Sequence, residues 1–161
     1  LIPAVCNAVS IPVIAAGGIG DSRGMAAAFA LGACGVQMGT RFVVSKECIA
    51  HENYKNLLLK AKDRSTVVTG RSTGHPVRVI ANKLTREYIE LENSGADTDT
   101  LEQLGAGKLN LATHKGDVEH GSVMSGQIAG MLNELKTVEE IVQDLVNGLP
   151  EVLTKTQNNC K

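Results

Sequence analysis

The hydrophobic pattern at the start of the chain switches between two periods. Leu1, Val5, Cys6 and Val9 recur at helical spacing, so the first nine residues read as the tail of an amphipathic helix. Pro12–Ala16 is a short apolar run bounded by turn residues, the pattern of a strand covered on both faces, as in a parallel sheet. Ser22–Leu31 then reads as a helix with Gly32 at its C′ position. Gly35–Met38 follows as a second short buried strand, and Thr40 as the N-cap of a helix beginning near Arg41. The order is β-α-β-α. After residue 62 that alternation stops, and the glycine-bearing loops Thr69–His75, Gly105–Gly107 and Gly116–Gly121 separate helical segments near Thr85–Glu92, Thr100–Leu104 and Ser125–Leu135. The last helix has the clearest start, because Thr137 and Glu140 form a T-x-x-E capping box ahead of Ile141, Val142, Leu145 and Val146. Gly148-Leu149-Pro150 is expected to end it. The pattern predicts βα units over 1–62 and a helical and loop appendage over 63–161.

Composition narrows the class. With 161 residues and 43% hydrophobic content the chain can bury a core, and 16 Lys+Arg against 17 Asp+Glu give a net charge of −1. That balance lacks the basic excess on which nucleic-acid binding depends. Cys6, Cys34, Cys48 and Cys160 lie far apart with no C-x-x-C, which argues against a zinc site or a redox pair and for a reducing, cytoplasmic setting. No run approaches the roughly 20 apolar residues of a membrane span, and Leu1–Val9 lacks the charged start and cleavage pattern of a signal peptide. The chain begins with Leu1, inside a helical pattern, and reads as a fragment.

Each predicted strand ends in glycine and feeds a helical segment. Gly17 and Gly18, without side chains, let an anion approach the main chain, and the next helix N-terminus would add unpaired donors and the positive end of its dipole. Gly39-Thr40 repeats the device one strand later. Either glycine motif alone is equally well explained as a tight turn with close helix packing. The tandem matches the phosphate site of a TIM (β/α)8 barrel, built from the loops after strands 7 and 8, with Pro12–Ala16 as strand 7. The N–H groups of Gly18 and Thr40 should then face a common point.

The stretch IPVIAAGGIGDSRGMAAAFALGACGVQMGTRFVVSKE resembles the flavin-binding end of the FMN-dependent enoyl-acyl-carrier-protein reductase II and nitronate monooxygenase family. HENYKNLLLKA, GHPVRVIANKLTREY, LGAGKLNLATHKGDVEHGSVMSGQIAGML and TVEEIVQDL resemble the reductase branch, so the similarity runs from Ile11 to about Leu153. The resemblance implies the C-terminal part of a TIM (β/α)8 barrel, its last two βα units, with the appendage covering the active-site side. It also implies FMN as cofactor, NADH or NADPH as co-substrate, and hydride delivery to a trans-2-enoyl thioester carried by acyl carrier protein. Gly17, Gly18, Gln37, Met38, Gly39 and Thr40 match the family's phosphate and ribityl segments. The family's catalytic histidine falls upstream of Leu1, so no catalytic residue is assigned within the chain. A cytoplasmic homodimer is expected for the full-length protein.

Other polar positions carry two readings each. His114 and His120 bracket Asp117 and Glu119, but their spacing does not put two imidazoles on one helix face, and a polar loop explains them without a metal. His75, in STGHPVRV, reads either as a loop residue capping local backbone or as part of a loop folded over the active-site mouth. Arg71, Arg78, Lys83 and Arg86 form a solvated basic stretch or a docking face for an acidic carrier or a nucleotide phosphate. Ser122, Met124 and Gln127 lie where small residues would let a flat ring approach, or where a glycine-rich helix start packs on the barrel. With His75 they form the candidate substrate-binding set. Two further classes stay open: another enzyme on this scaffold, such as a nitroalkane-oxidising monooxygenase or an IMP-dehydrogenase-type barrel, and a non-catalytic flavin- or phosphate-binding module.

Overall fold

The computed structural model describes residues 1–160. They form two compact units, Leu1–Glu47 with Leu135–Lys161, and Cys48–Glu134. This division differs from the boundary expected at 62/63: residues 48–62 belong to the second unit, and the C-terminal helix packs with the first.

In the first unit, helix α1 (Ile2–Ala8) leads to strand β1 (Ile14–Ala16), helix α2 (Ser22–Ala30), strand β2 (Gly35–Gln37) and the short helix α3 (Thr40–Val43). The strands pair in parallel, Ile14 opposite Gly35, Ala15 opposite Val36 and Ala16 opposite Gln37. Ala15 is buried with Ile19, Ala28 and Ala33, against Ile2, Val36 and Met38. The strand is not covered on both faces as its sequence suggested: Ile14 is 56% exposed, because the chain supplies a helical layer only on the Ala15 side. A Cβ at Gly35 would meet Ile14 Cδ1 at 2.7 Å, a contact the exposed Ile14 side chain can relieve by rotating. Gly32 takes φ +100 after the α2 C-cap Leu31, as its C′ position requires. Thr40 is the first residue of α3 and not its cap; Gly39 holds the N-cap position.

The second correction concerns the C-terminal helix. Thr137 and Glu140 make the capping box, but α8 runs Val138–Asn159 with Pro150 inside it. Proline normally ends a helix by removing a donor to the i−4 carbonyl, here that of Val146. Both residues are exposed, so water can bond that carbonyl, and packing of α8 on α2 carries the helix onward. Glu47 anchors the helix start, both carboxylate oxygens accepting from Val138 N–H at 3.0 and 2.9 Å.

The second unit contains helix α4 (Glu52–Leu59), strands β3 (Thr66–Thr69) and β4 (Val77–Ile80), and helices α5 (Lys83–Asn93), α6 (Thr98–Gly105) and α7 (Lys108–Lys115), followed by a 3₁₀ turn at Gln127–Met131. The antiparallel hairpin β3–β4 is the main element the hydrophobic pattern missed, Thr66 pairing with Ile80 and Thr69 with Val77. The helix expected over Ser125–Leu135 is absent. Residues 122–125 instead run extended beside β4, through the Val79–Met124 bridge and the bonds Ile80 N–H to Val123 O (2.9 Å) and Ser125 N–H to Arg78 O (3.1 Å). Gly130 then lets the 3₁₀ turn approach the chain at 62–63, where a Cβ would lie 3.0 Å from the Lys62 carbonyl carbon. Asn82 ties the unit together: it caps α5 in a capping box with Thr85, and its Nδ2 donates to Val118 O and Gly121 O, each at 2.8 Å.

Candidate functional site

The two glycine loops leave the parallel ladder at the same end, directly after the Ala16–Gln37 pair. In Gly17-Gly18 the backbone itself demands glycine, with φ +97 and +72. Gly39 differs. Its φ is −89, within reach of any residue, and nothing lies within 4 Å of where its Cβ would be. Neither backbone nor packing within the chain accounts for a glycine there, whereas a group seated against the loop would. Gly17, Gly18, Gln37 and Gly39 are exposed and Met38 and Thr40 half-buried, so all six residues expected to bind the cofactor surround one open strand edge.

The contribution expected from the next helix is corrected. Asp21 caps α2, its Oδ1 accepting from Arg23 N–H (3.0 Å) and Gly24 N–H (3.1 Å), so those donors are already taken. Burial alone would raise the Asp21 pKa, but bonds from the Arg23 side chain and the Gly24 N–H hold it below the usual carboxylate value. The Arg23 and Gly24 N–H groups of α2 are therefore not free to serve an anion at this edge.

In the second unit, alternation along its sheet creates a separate cavity of about 200 Å³. Thr69 and Val77 are paired, Val79 lies two residues on and Met124 is its partner, so these side chains share one face with Ser122. Leu84, Thr85 and Tyr88 of α5 wall the other side, and His75 lies at the turn that closes it. Three of the four residues expected to bind substrate, His75, Ser122 and Met124, are thus brought together. Gln127 is not; it is exposed on the 3₁₀ turn and lines no part of the cavity. Tyr88 and Leu84 are functional candidates that sequence reasoning missed, though their i, i+4 spacing on an amphipathic helix carried the signal. Burial, then the negative charge of Glu92, raise the Tyr88 phenol above its ordinary value and keep it a neutral donor.

The strand carrying Met124 is fixed from behind. Tyr54, 3% exposed, donates its hydroxyl to Met124 O at 2.7 Å, and burial pushes its pKa up to about 12. His120 pairs with Asp117 (Nδ1–Oδ2 3.1 Å) and His114 Nδ1 with Thr113 Oγ1 (2.8 Å). Among the described residues no group of three or more His, Cys, Asp or Glu side chains is placed to hold a metal ion. The basic stretch is dispersed, Arg78 bonding Thr66 Oγ1 (3.0 Å), Arg86 bonding Asn82 O (3.2 Å) and Lys83 pairing with Glu119.

A family model for nitronate monooxygenase matches residues 1–148. The chain belongs to the nitronate monooxygenase family. Among curated relatives, a probable nitronate monooxygenase of Staphylococcus saprophyticus is 34% identical over 155 residues, which is 96% of this chain and 43% of that protein. One from Staphylococcus aureus is 35% identical over 153 residues, 95% of this chain and 43% of its own length. Among solved structures, FabK from Thermotoga maritima superposes with a TM-score of 0.94 at 46% identity, covering 99% of this chain and 50% of that one. A nitroalkane oxidase from Streptomyces ansochromogenes gives 0.79 at 30% identity, over 97% and 44%. This member of the family therefore spans about half the length of the proteins it matches, and its fold is the C-terminal part of their barrel with the two parallel βα units described above.

Proposed function

We propose that this chain forms part of an FMN-dependent enoyl-acyl-carrier-protein reductase, in which the loops after β1 and β2 hold the flavin phosphate. The observation that carries this reading is Gly39, a glycine that nothing within the fold requires, beside Gly17-Gly18 at the end of the same parallel ladder. The residues fit the group: the edge is open, lacks Cβ atoms where a phosphate would sit, and presents main chain from adjacent strands, as barrel phosphate sites do. Gly17, Gly18 and Gly39 would approach the phosphate, with Gln37, Met38 and Thr40 beside the ribityl chain. Bound there, FMN would supply the hydride-transfer chemistry between NADH or NADPH and the β-carbon of a trans-2-enoyl thioester. The chain's own residues bind and orient. The cavity beneath His75, lined by Val77, Val79, Leu84 and Met124, suits an apolar acyl group.

FabK, an enoyl-acyl-carrier-protein reductase II, favours the reductase at 46% identity. The second reading, oxidation of nitroalkanes with O₂, is favoured by the names of the curated relatives at 34% and 35% identity. The assay that separates them compares NADH or NADPH oxidation with a crotonyl thioester against O₂ uptake with a nitroalkane, using protein that carries this chain and is loaded with FMN. Thioester-dependent oxidation of the nicotinamide is the expected result; nitroalkane-dependent O₂ uptake alone would replace the reductase by the monooxygenase. Acyl carrier protein as the substrate's carrier, a homodimeric assembly and a cytoplasmic location belong to the same proposal. Among the described residues no helix is long and apolar enough to cross a membrane.

A further inference from the structure

The turn that closes the cavity is held from outside by one carboxylate. Glu92 stands in the last turn of α5, where a negative charge opposes the helix dipole and a basic residue would be the favourable choice. Its Oε1 accepts from Ser72 N–H (3.1 Å) and from Ser72 Oγ–H (2.9 Å), and the nearby Gly70 and Arg71 main chain helps to hold its pKa down. Gly70 starts the turn at φ +76, and it must be glycine because a Cβ would lie 2.5 Å from the His75 carbonyl oxygen. Gly74, at φ +79, bounds the other end. Inside the turn the Thr73 hydroxyl donates to Gly70 O (3.0 Å) and accepts from His75 N–H (3.4 Å).

We propose that Glu92 is a positioning residue: through its two bonds from Ser72 it latches the turn that carries His75 over the cavity and so sets how tightly an apolar acyl group is held there. The acyl part of this statement rests on the reductase reading; the latch does not. The bonds from Ser72 account for the wrong-sign charge at the end of α5, and Gly70 and Gly74 are two left-handed glycines about which the turn can open when the carboxylate is lost. Burial would raise the Glu92 pKa, but the bonds from Ser72, with the Gly70 and Arg71 main chain beside them, hold it below the ordinary carboxylate value.

The test compares Glu92→Leu with Glu92→Gln in FMN-loaded protein carrying this chain. Local opening is read by amide hydrogen exchange, and the consequence by steady-state kinetics with a crotonyl thioester. Leucine should raise exchange at residues 70–72 by about tenfold or more while α5 keeps its protection. It should raise KM by roughly fivefold or more with kcat within about twofold, the signature of lost uniform binding. Glutamine keeps an acceptor for Ser72 and should restore most of both. Unchanged exchange at 70–72 in Glu92→Leu overturns the latch, as does loss of protection across α5 with kcat falling severalfold, since that is a merely structural role. An opened turn with KM unchanged overturns the control of affinity. If the unsubstituted protein does not reduce the thioester, the reductase reading fails, and the exchange data still decide the latch.

Discussion

Ala16 and Gln37 are the last paired residues of the two parallel strands, and the glycine loops that follow them open at one edge. Gly39 has both an ordinary φ of −89 and empty space at its Cβ position, whereas Gly17 and Gly18 are held at left-handed φ. Gly39→Val should therefore leave folding within about 0.5 kcal/mol, the range of surface substitutions, while filling the space a phosphate needs. FMN affinity should fall by about a hundredfold or more, close to 3 kcal/mol. Flavin fluorescence titration beside a denaturant midpoint checks both halves; undiminished affinity would remove the phosphate site.

Gly148 of α8 lies against the start of α2, where an added Cβ would sit 2.7 Å from Ser22 Oγ and 3.0 Å from Ser22 Cβ. Helix propensity alone favours alanine there by about 1 kcal/mol. The serine hydroxyl can rotate away, but its Cβ is fixed to the backbone, so Gly148→Ala should destabilise by about 1–2 kcal/mol net. Chemical denaturation distinguishes this from the gain that propensity by itself would give.

Tyr54→Phe removes the donor to Met124 O in a buried setting. The expected cost is about 1–2 kcal/mol, since the carbonyl is left unpaired. Because the folded pKa is raised to about 12, the unsubstituted protein keeps this contribution below the unfolded tyrosine value near 10 and loses it as pH rises toward the folded value. The variant should lose that part of the alkaline slope. Stability measured across alkaline pH checks it.

Asp21 works in the opposite direction. Its folded pKa is lowered, so its capping contribution is present above the unfolded value near 3.9 and disappears as pH falls through the folded one. Asp21→Asn keeps an acceptor for the N–H groups of Arg23 and Gly24 and should flatten the acid limb of the stability profile. Asp21→Ala should cost about 1 kcal/mol at neutral pH. Thermal melts over an acid pH series separate the variants, and an unchanged acid limb in Asp21→Asn would refute the assignment.

Local signals were legible where the reason for a structure lies within a few residues. The Thr137–Glu140 box, the C′ glycine at 32 and the βαβ alternation all act over one turn or one strand, and each appears where the pattern put it. The TVVT and VRVI runs carried a readable hairpin signal in their β-branched residues, with glycines between them. Thr40 failed as a cap by a single position, where the glycine loop itself takes the cap.

By itself the sequence determined the periodic elements, the tandem glycine turns and the family resemblance, because periodicity, φ preference and motif spacing are properties of neighbouring residues. Tertiary structure alone decided that α8 continues through Pro150, that Ser122 and Met124 sit on a strand beside β4, and that Glu92 reaches back to Ser72. In each case the partner lies about twenty or more residues away in the chain: α2 for α8, β4 for the 122–125 strand, and the turn at 70–75 for Glu92. Packing and long-range hydrogen bonds outweigh local propensity at such positions, because each buried or paired group contributes on the order of 1 kcal/mol and several together exceed a local preference that reaches about 3 kcal/mol for a proline inside a helix.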